Sequence, residues 1–202
     1  MTAISDVAIG NQALTKLGVD RVISFDDNTK PARDLKACYE IVRDAEIYDH
    51  AWRFSLKRAS IAALADTPEG YLYAYQLPED CLRLRSVGLY APGLDLSELR
   101  GSIDSADWAV EGRKILTNLE APLLIRYSAR ITDPAQFDMG FVAVLACRLA
   151  VELAESLTQS SAKKTAAITE YRLRLSRAAL ANAVQVPPTQ MPDDGWLAAR
   201  NG

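Results

Sequence analysis

The hydrophobic periodicity of this chain changes twice, and these changes limit its fold more than any other feature of the sequence. Up to about residue 50 the apolar positions recur at helical spacing. Ile9, Ala13 and Leu17 repeat every fourth residue, with Ser5 placed to cap the helix and Gly18 to end it, which predicts a helix over 5–17. After a polar loop from Ser24 to Thr29, Pro31 suits a first helical turn, and Leu35, Cys38, Val42 and Ala45 give the stripe of a second helix reaching Asp49. From Trp52 the period falls to two. Trp52, Phe54 and Leu56 alternate with Arg53, Ser55 and Lys57, and Tyr71, Tyr73 and Tyr75 alternate in the same way. Leu82 and Leu84 alternate with Arg83 and Arg85. Strands with one buried face produce this pattern. Glu111-Gly112 separates Trp108–Val110 from Lys114–Leu116 as a hairpin turn would, and Leu123 to Ala129 is a further strand candidate. Asp133-Pro134 closes this region, and helical spacing returns near Asp138.

These readings predict an α+β chain. Residues 1–51 and 131–184 are expected to form an antiparallel four-helix bundle. Residues 52–130 are expected to form a small inserted antiparallel β domain, and 185–202 an extended C-terminal arm. Helix three, Asp138 to Leu157, confines Arg148, Glu152 and Glu155 to one narrow face and is otherwise mostly Ala, Val and Leu, so it should be surrounded on most sides. Arg148 and Glu152 stand four apart and can pair.

Helix four, Ala162 to Val184, carries two apolar stripes. Ile168, Tyr171, Leu175, Ala179 and Ala183 form one; Ala166, Leu173, Leu180 and Val184 form another. One stripe can serve the chain's own core. The second, with Leu173 and Leu180, is then available to another subunit, unless the helix is wedged between two parts of the same chain. The arm contains Pro187, Pro188 and Pro192, which remove backbone donors and favour an extended chain, followed by Trp196, Leu197 and Arg200. A tryptophan on an otherwise polar chain end is a candidate docking anchor, Arg200 can pair with a partner carboxylate, and the other reading is an end that folds back or frays.

Charge narrows the function classes. The net charge of the 202 residues is −3. Residues 159–202 hold six basic residues (Lys163, Lys164, Arg172, Arg174, Arg177, Arg200) and three acidic ones (Glu170, Asp193, Asp194), a local +3 that leaves −6 on the remainder. An acidic body is a poor grip for nucleic-acid phosphates, and a mildly basic end suits either partner docking or a solvated face. Cys38, Cys81 and Cys147 lie far apart, which argues against a disulfide framework or zinc site and for synthesis in a reducing cytosol. No basic start followed by an apolar run begins the sequence, and no segment has ~20 apolar residues, so neither a secretory signal nor a membrane anchor is expected.

Catalytic motifs are missing. His50, the single histidine, ends helix two, where it can face exposed carbonyls. No G-x-S-x-G, H-E-x-x-H or glycine-rich phosphate loop occurs. Asp26-Asp27-Asn28 lacks the later ligands of a calcium loop and reads as a turn. No catalytic residue, cofactor or metal is expected. Paired carboxylates remain an open route to glycosidic cleavage. The aromatic residues at 52, 54, 71, 73 and 75 read as sheet core more readily than as a stacking platform for single-stranded nucleic acid.

Several runs resemble a known family. AWRFSLKRASIAAL (Ala51–Leu64) followed by YAYQLPEDCLRLRSV (Tyr73–Val87) is similar to the adaptor, or tail tubular, proteins of tailed bacteriophages. There a Trp-Phe strand leads to a Tyr-rich strand and a Leu-Pro-x-Asp turn. DPAQFDMGFVAVLACRLAVELAESLTQS (Asp133–Ser160) resembles the family's alanine-rich helix, and GWLAAR (Gly195–Arg200) its terminal tail. The likeness covers most of the chain in order; the loop around Leu94 to Ala106 is not part of it. It implies a structural virion protein, assembled in the host cytoplasm and located at the head-tail junction. Such proteins form a homo-oligomeric ring, commonly dodecameric, between the portal protein and a tail nozzle or tail tube protein. Helices of neighbouring copies pack together, the β region faces the tail, and DNA passes through the lumen without specific binding. A phage tail accessory protein with cell-wall (peptidoglycan) hydrolase activity is the alternative.

Overall fold

The computed structural model describes residues 4–65, 69–88 and 108–184, without the side chains of 183 and 184. Ser5 caps α1 (Asp6–Leu17) by accepting from the Ala8 N–H, and Gly18 ends it in the left-handed region at φ 65°, where a side chain would be strained. Thr29 caps α2 (Lys30–Asp49), with proline in its first turn. Among the described residues six strands follow: β1 (Leu56–Ile61), β2 (Tyr73–Gln76), β3 (Cys81–Val87), β4 (Trp108–Glu111), β5 (Lys114–Thr117) and β6 (Leu123–Ala129). Two long helices complete the described chain, α3 (Met139–Thr158) and α4 (Ser161–Val184).

The strands form two three-stranded antiparallel sheets, ordered β1-β6-β3 and β2-β5-β4, where the sequence pattern suggested about five strands in one β region. An isolated bridge between Ala63 and Tyr75 joins the chain after β1 to β2. The β4–β5 turn places Gly112 at φ 51° and Arg113 at φ 74°, the geometry of a two-residue hairpin whose twist matches its strands.

The expected antiparallel four-helix bundle is not what these helices make. Helix α3 is the hub: α1, α2 and α4 each pack on it and hardly on one another. The reason lies in its composition. Phe141, Val142, Val144, Leu145, Ala146, Cys147, Leu149, Ala150, Leu153 and Ala154 are all buried, so α3 occupies the position that a shared central seam holds in a bundle. The sheets join the helices through α2, which packs on β3 and β6, and one hydrophobic core includes helix and strand residues alike. Gly140 permits the close approach of α4, because a β-carbon there would lie 3.3 Å from the Ala178 β-carbon.

Trp52 and Phe54 also depart from the expected strand. Arg53–Ser55 form a 3₁₀ turn, and β1 begins only at Leu56. The Trp52 ring packs edge-on against Phe141 with centroids 5.2 Å apart, and its indole N–H donates to the Glu46 carbonyl at 3.1 Å. Phe54 packs on Phe141 at 4.8 Å and on Phe137 at 5.5 Å. This aromatic knot fastens the helix-to-strand junction to the hub, and edge-to-face rings add to the area they bury.

Candidate functional site

Helix α4 carries the residues for which the sequence suggested a contact with another subunit. Gln159, in the left-handed region at φ 50°, ends α3 and turns the chain so that α4 folds back along it. The inward face of α4 is thin in large apolar groups: Ala167, Tyr171 and Leu175 are partly buried, and Ala178 is 8% exposed. Ala179, assigned to the inner stripe on sequence, is exposed, and Ala178 takes that place. On the opposite side Leu173 is 51% and Leu180 69% exposed, with Ala166 exposed one heptad before Leu173. The structure therefore sets Leu173 and Leu180 together on one open face. Trp196, Leu197, Arg200, Pro187 and Pro188 lie outside the described residues.

Polar contacts hold α4 where its apolar contacts are sparse. At its start, Lys163 donates to the Leu17 carbonyl at the end of α1 (2.7 Å), and Lys164 pairs with Glu155 at 2.6 Å. Lys16 pairs with Glu170 at 2.5 Å. At its end, Asn182 accepts from the Arg53 backbone N–H (3.0 Å) and donates to the Ala51 carbonyl (3.0 Å). The last turn of α4 is thus fixed to the α2–β1 junction.

In the middle lies a buried clamp that the sequence pattern did not reveal. Glu46 of α2 is fully buried, and its Oε2 accepts from the Tyr171 hydroxyl of α4 at 2.9 Å. Arg148 of α3 donates to the same hydroxyl oxygen at 3.2 Å, lies over the Tyr171 ring at 5.4 Å, stands 3.9 Å from Glu46 and 3.5 Å from Glu152. Glu46 Oε1 has no hydrogen-bond partner; His50 Nε2 is 3.5 Å away, an ion pair only when the imidazole is protonated. Burial pushes the Glu46 carboxyl above the usual carboxylate range against the opposing pull of Tyr171, His50 and Arg148. Burial and the nearby Glu46 push the Tyr171 hydroxyl up to about 12. One signal was present. Leu35, Tyr39, Val42 and Glu46 share a helix face, and the first three are buried.

The other sequence candidates take structural roles. His50 closes α2, donating its backbone N–H to the Glu46 carbonyl at 3.3 Å. Asp27 accepts from the Ile23 and Ser24 N–H groups at 2.8 and 3.0 Å, and Asp26 pairs with Lys36, so this loop is a turn. Burial raises all three cysteine thiols, Cys38 to about 11, which keeps them protonated and poorly nucleophilic. Among the described residues no cluster of three or more His, Cys, Asp or Glu could hold a metal ion, and no described helix is long and apolar enough to cross a membrane. The outward face of the β1-β6-β3 sheet sets Arg58 opposite Arg126 beside a cleft of about 240 Å³, and both arginines have interaction partners. The chain matches no protein-family model and no curated protein.

Proposed function

We propose that this protein is a structural head-to-tail adaptor of a tailed phage, a ring component between portal and tail through which DNA passes. The observation that carries this reading is the open face of α4. Leu173 and Leu180 spend exposed apolar area on a long helix that is fixed at its start, middle and end, as a rigid docking ridge requires. The sequence resemblance supports the same reading. The Glu46 carboxyl, which burial holds above its ordinary range, is sealed from solvent and cannot reach a substrate. The body works without catalysis in this proposal, and the −6 charge outside residues 159–202 favours sliding of DNA over gripping it.

Residues 185–202 are proposed as an arm reaching from the fixed end of α4 to the portal. At ~3.1 Å per residue in polyproline form, these 18 residues span about 55 Å, enough to cross into a neighbouring subunit. Trp196 and Leu197 supply the apolar anchor, Arg200 a charge for a partner carboxylate, and Pro187 and Pro188 reduce the entropy lost on docking. Removal of the gene from its phage is the test. DNA-filled heads that fail to join tails are expected, and infectious particles of normal morphology would overturn the assignment.

A further inference from the structure

The exposed side of α2 has the same layout as the exposed side of α4. On α4, Leu173 and Leu180 stand seven residues apart; on α2, Ile41 (71% exposed) and Tyr48 (49% exposed) do so as well. Seven residues are two helical turns, about 10.5 Å along the axis. Both pairs face away from α3, since the buried faces of the two helices, Leu35–Tyr39–Val42–Glu46 and Tyr171–Leu175–Ala178, lie on the opposite sides. Between the apolar pairs stand Asp44 on α2, already paired with Arg43 and Arg130, and Ser176 on α4, with Arg177 at the edge of the α4 seam.

The edges of the two seams differ in sign. Glu40 lies beside Ile41 on α2, and Arg177 lies one turn beyond Leu173 on α4. Both are exposed, and neither has an ion-pair partner among the described residues. Laid side by side in the same direction, the seams bring Ile41 to Leu173, Tyr48 to Leu180 and Asp44 to Ser176. Glu40 then falls on the flank across from Arg177, the arrangement by which charges bordering a helix seam select partner and orientation. Arg83, over the Tyr48 ring at 5.1 Å, caps the far end of the α2 seam.

We infer that the outer face of α4 docks on the outer face of α2 of a second copy of this chain, in a head-to-tail contact. Two different complementary faces on one chain make a heterologous interface, which closes into a ring when the rotation permits. The inference rests on the ring reading above and names the face that receives Leu173 and Leu180.

Sedimentation of the full chain and its variants tests it. Wild-type protein is expected to form species larger than a dimer as concentration rises. Leu173→Asp with Leu180→Asp spoils one face, Ile41→Asp with Tyr48→Asp the other, and each double variant alone should remain a monomer. Their equimolar mixture should form a dimer and nothing larger, because one intact face of each kind is left. A second series changes only exposed charges. Glu40→Arg and Arg177→Glu should each weaken self-association about tenfold, and the chain carrying both should recover. Wild-type protein that stays monomeric overturns the inference. So does a mixture that stays monomeric, or charge variants without mutual rescue. Self-association without portal binding would remove the adaptor reading and keep this contact; portal binding by a chain lacking this contact would do the reverse.

Discussion

Replacing Tyr171 by phenylalanine should destabilise the protein far more than an ordinary half-buried hydroxyl would. The hydroxyl at 2.9 Å is the sole hydrogen bond given to the Glu46 carboxylate, whose other oxygen has none. Hydrogen bonds to charged groups contribute about 1.5–3 kcal/mol, and loss of this one leaves a buried carboxylate without a donor. For a chain of this size that is a fall in melting temperature of about 3–12 °C. The pH dependence follows from the Glu46 shift. Its native pKa is raised, so between the ordinary glutamate value and the raised one the native state binds more protons than the unfolded state. This group's contribution to stability is therefore fully present below the ordinary value and is lost as pH rises through the raised one. Tyr171→Phe removes a hydrogen bond that holds this pKa down, so the window extends upward. The penalty should be largest near neutral pH and shrink on acidification, as the carboxyl becomes neutral in both proteins. In a Glu46→Gln background the same change should cost only about 1 kcal/mol, the value of a neutral hydrogen bond. Urea denaturation of the four proteins at pH 5 and pH 8 measures all of this. A Tyr171→Phe cost below about 0.5 kcal/mol at pH 8, or equal costs in the wild-type and Glu46→Gln backgrounds, would refute the clamp.

The Leu173→Asp, Leu180→Asp chain should melt within about 0.5 kcal/mol of wild type, because both positions are exposed, yet fail to assemble with the portal. Calorimetry and co-sedimentation check the two halves of that statement. Truncation after Val184 should leave the melting temperature unchanged and abolish portal binding; normal joining by the truncated chain would remove the arm. The folded protein should not bind duplex DNA with nanomolar affinity at physiological salt, which a filter-binding titration over a salt series decides.

Local signals were legible in the sequence. Ser5 and Gly18 bound α1 because a cap and a left-handed glycine act within one turn of the chain. The β4–β5 hairpin was readable from Gly112 for the same reason, although Glu111 pairs with Lys114 as the last residue of β4 and the turn falls on Gly112-Arg113, one residue later than the expected Glu111-Gly112. Trp52 and Phe54 were misread because three alternating residues also fit a 3₁₀ turn. What decides between them is Phe141, which is remote in sequence. The bundle expectation failed similarly. The apolar girth of α3 shows that it is surrounded, but does not say whether its neighbours also pack on one another around a shared seam or each on α3 alone. Glu46 escaped notice because a glutamate is ordinarily a surface residue. Its burial is set by Tyr171 and Arg148, which reach it only after the chain has folded back twice. At the candidate interface, the spacing of Leu173 and Leu180 was visible, whereas the matching face of α2 appeared only once the buried stripe had been fixed on Tyr39 and Glu46 rather than Cys38 and Ala45.

Electron microscopy of the purified protein mixed with its portal decides whether the chain is the proposed ring component. A rotationally symmetric ring of this protein is expected beneath the portal, with adjacent copies in contact through their long helices and an open central channel. A portal that emerges from the mixture unchanged, with this protein free in solution, would contradict it.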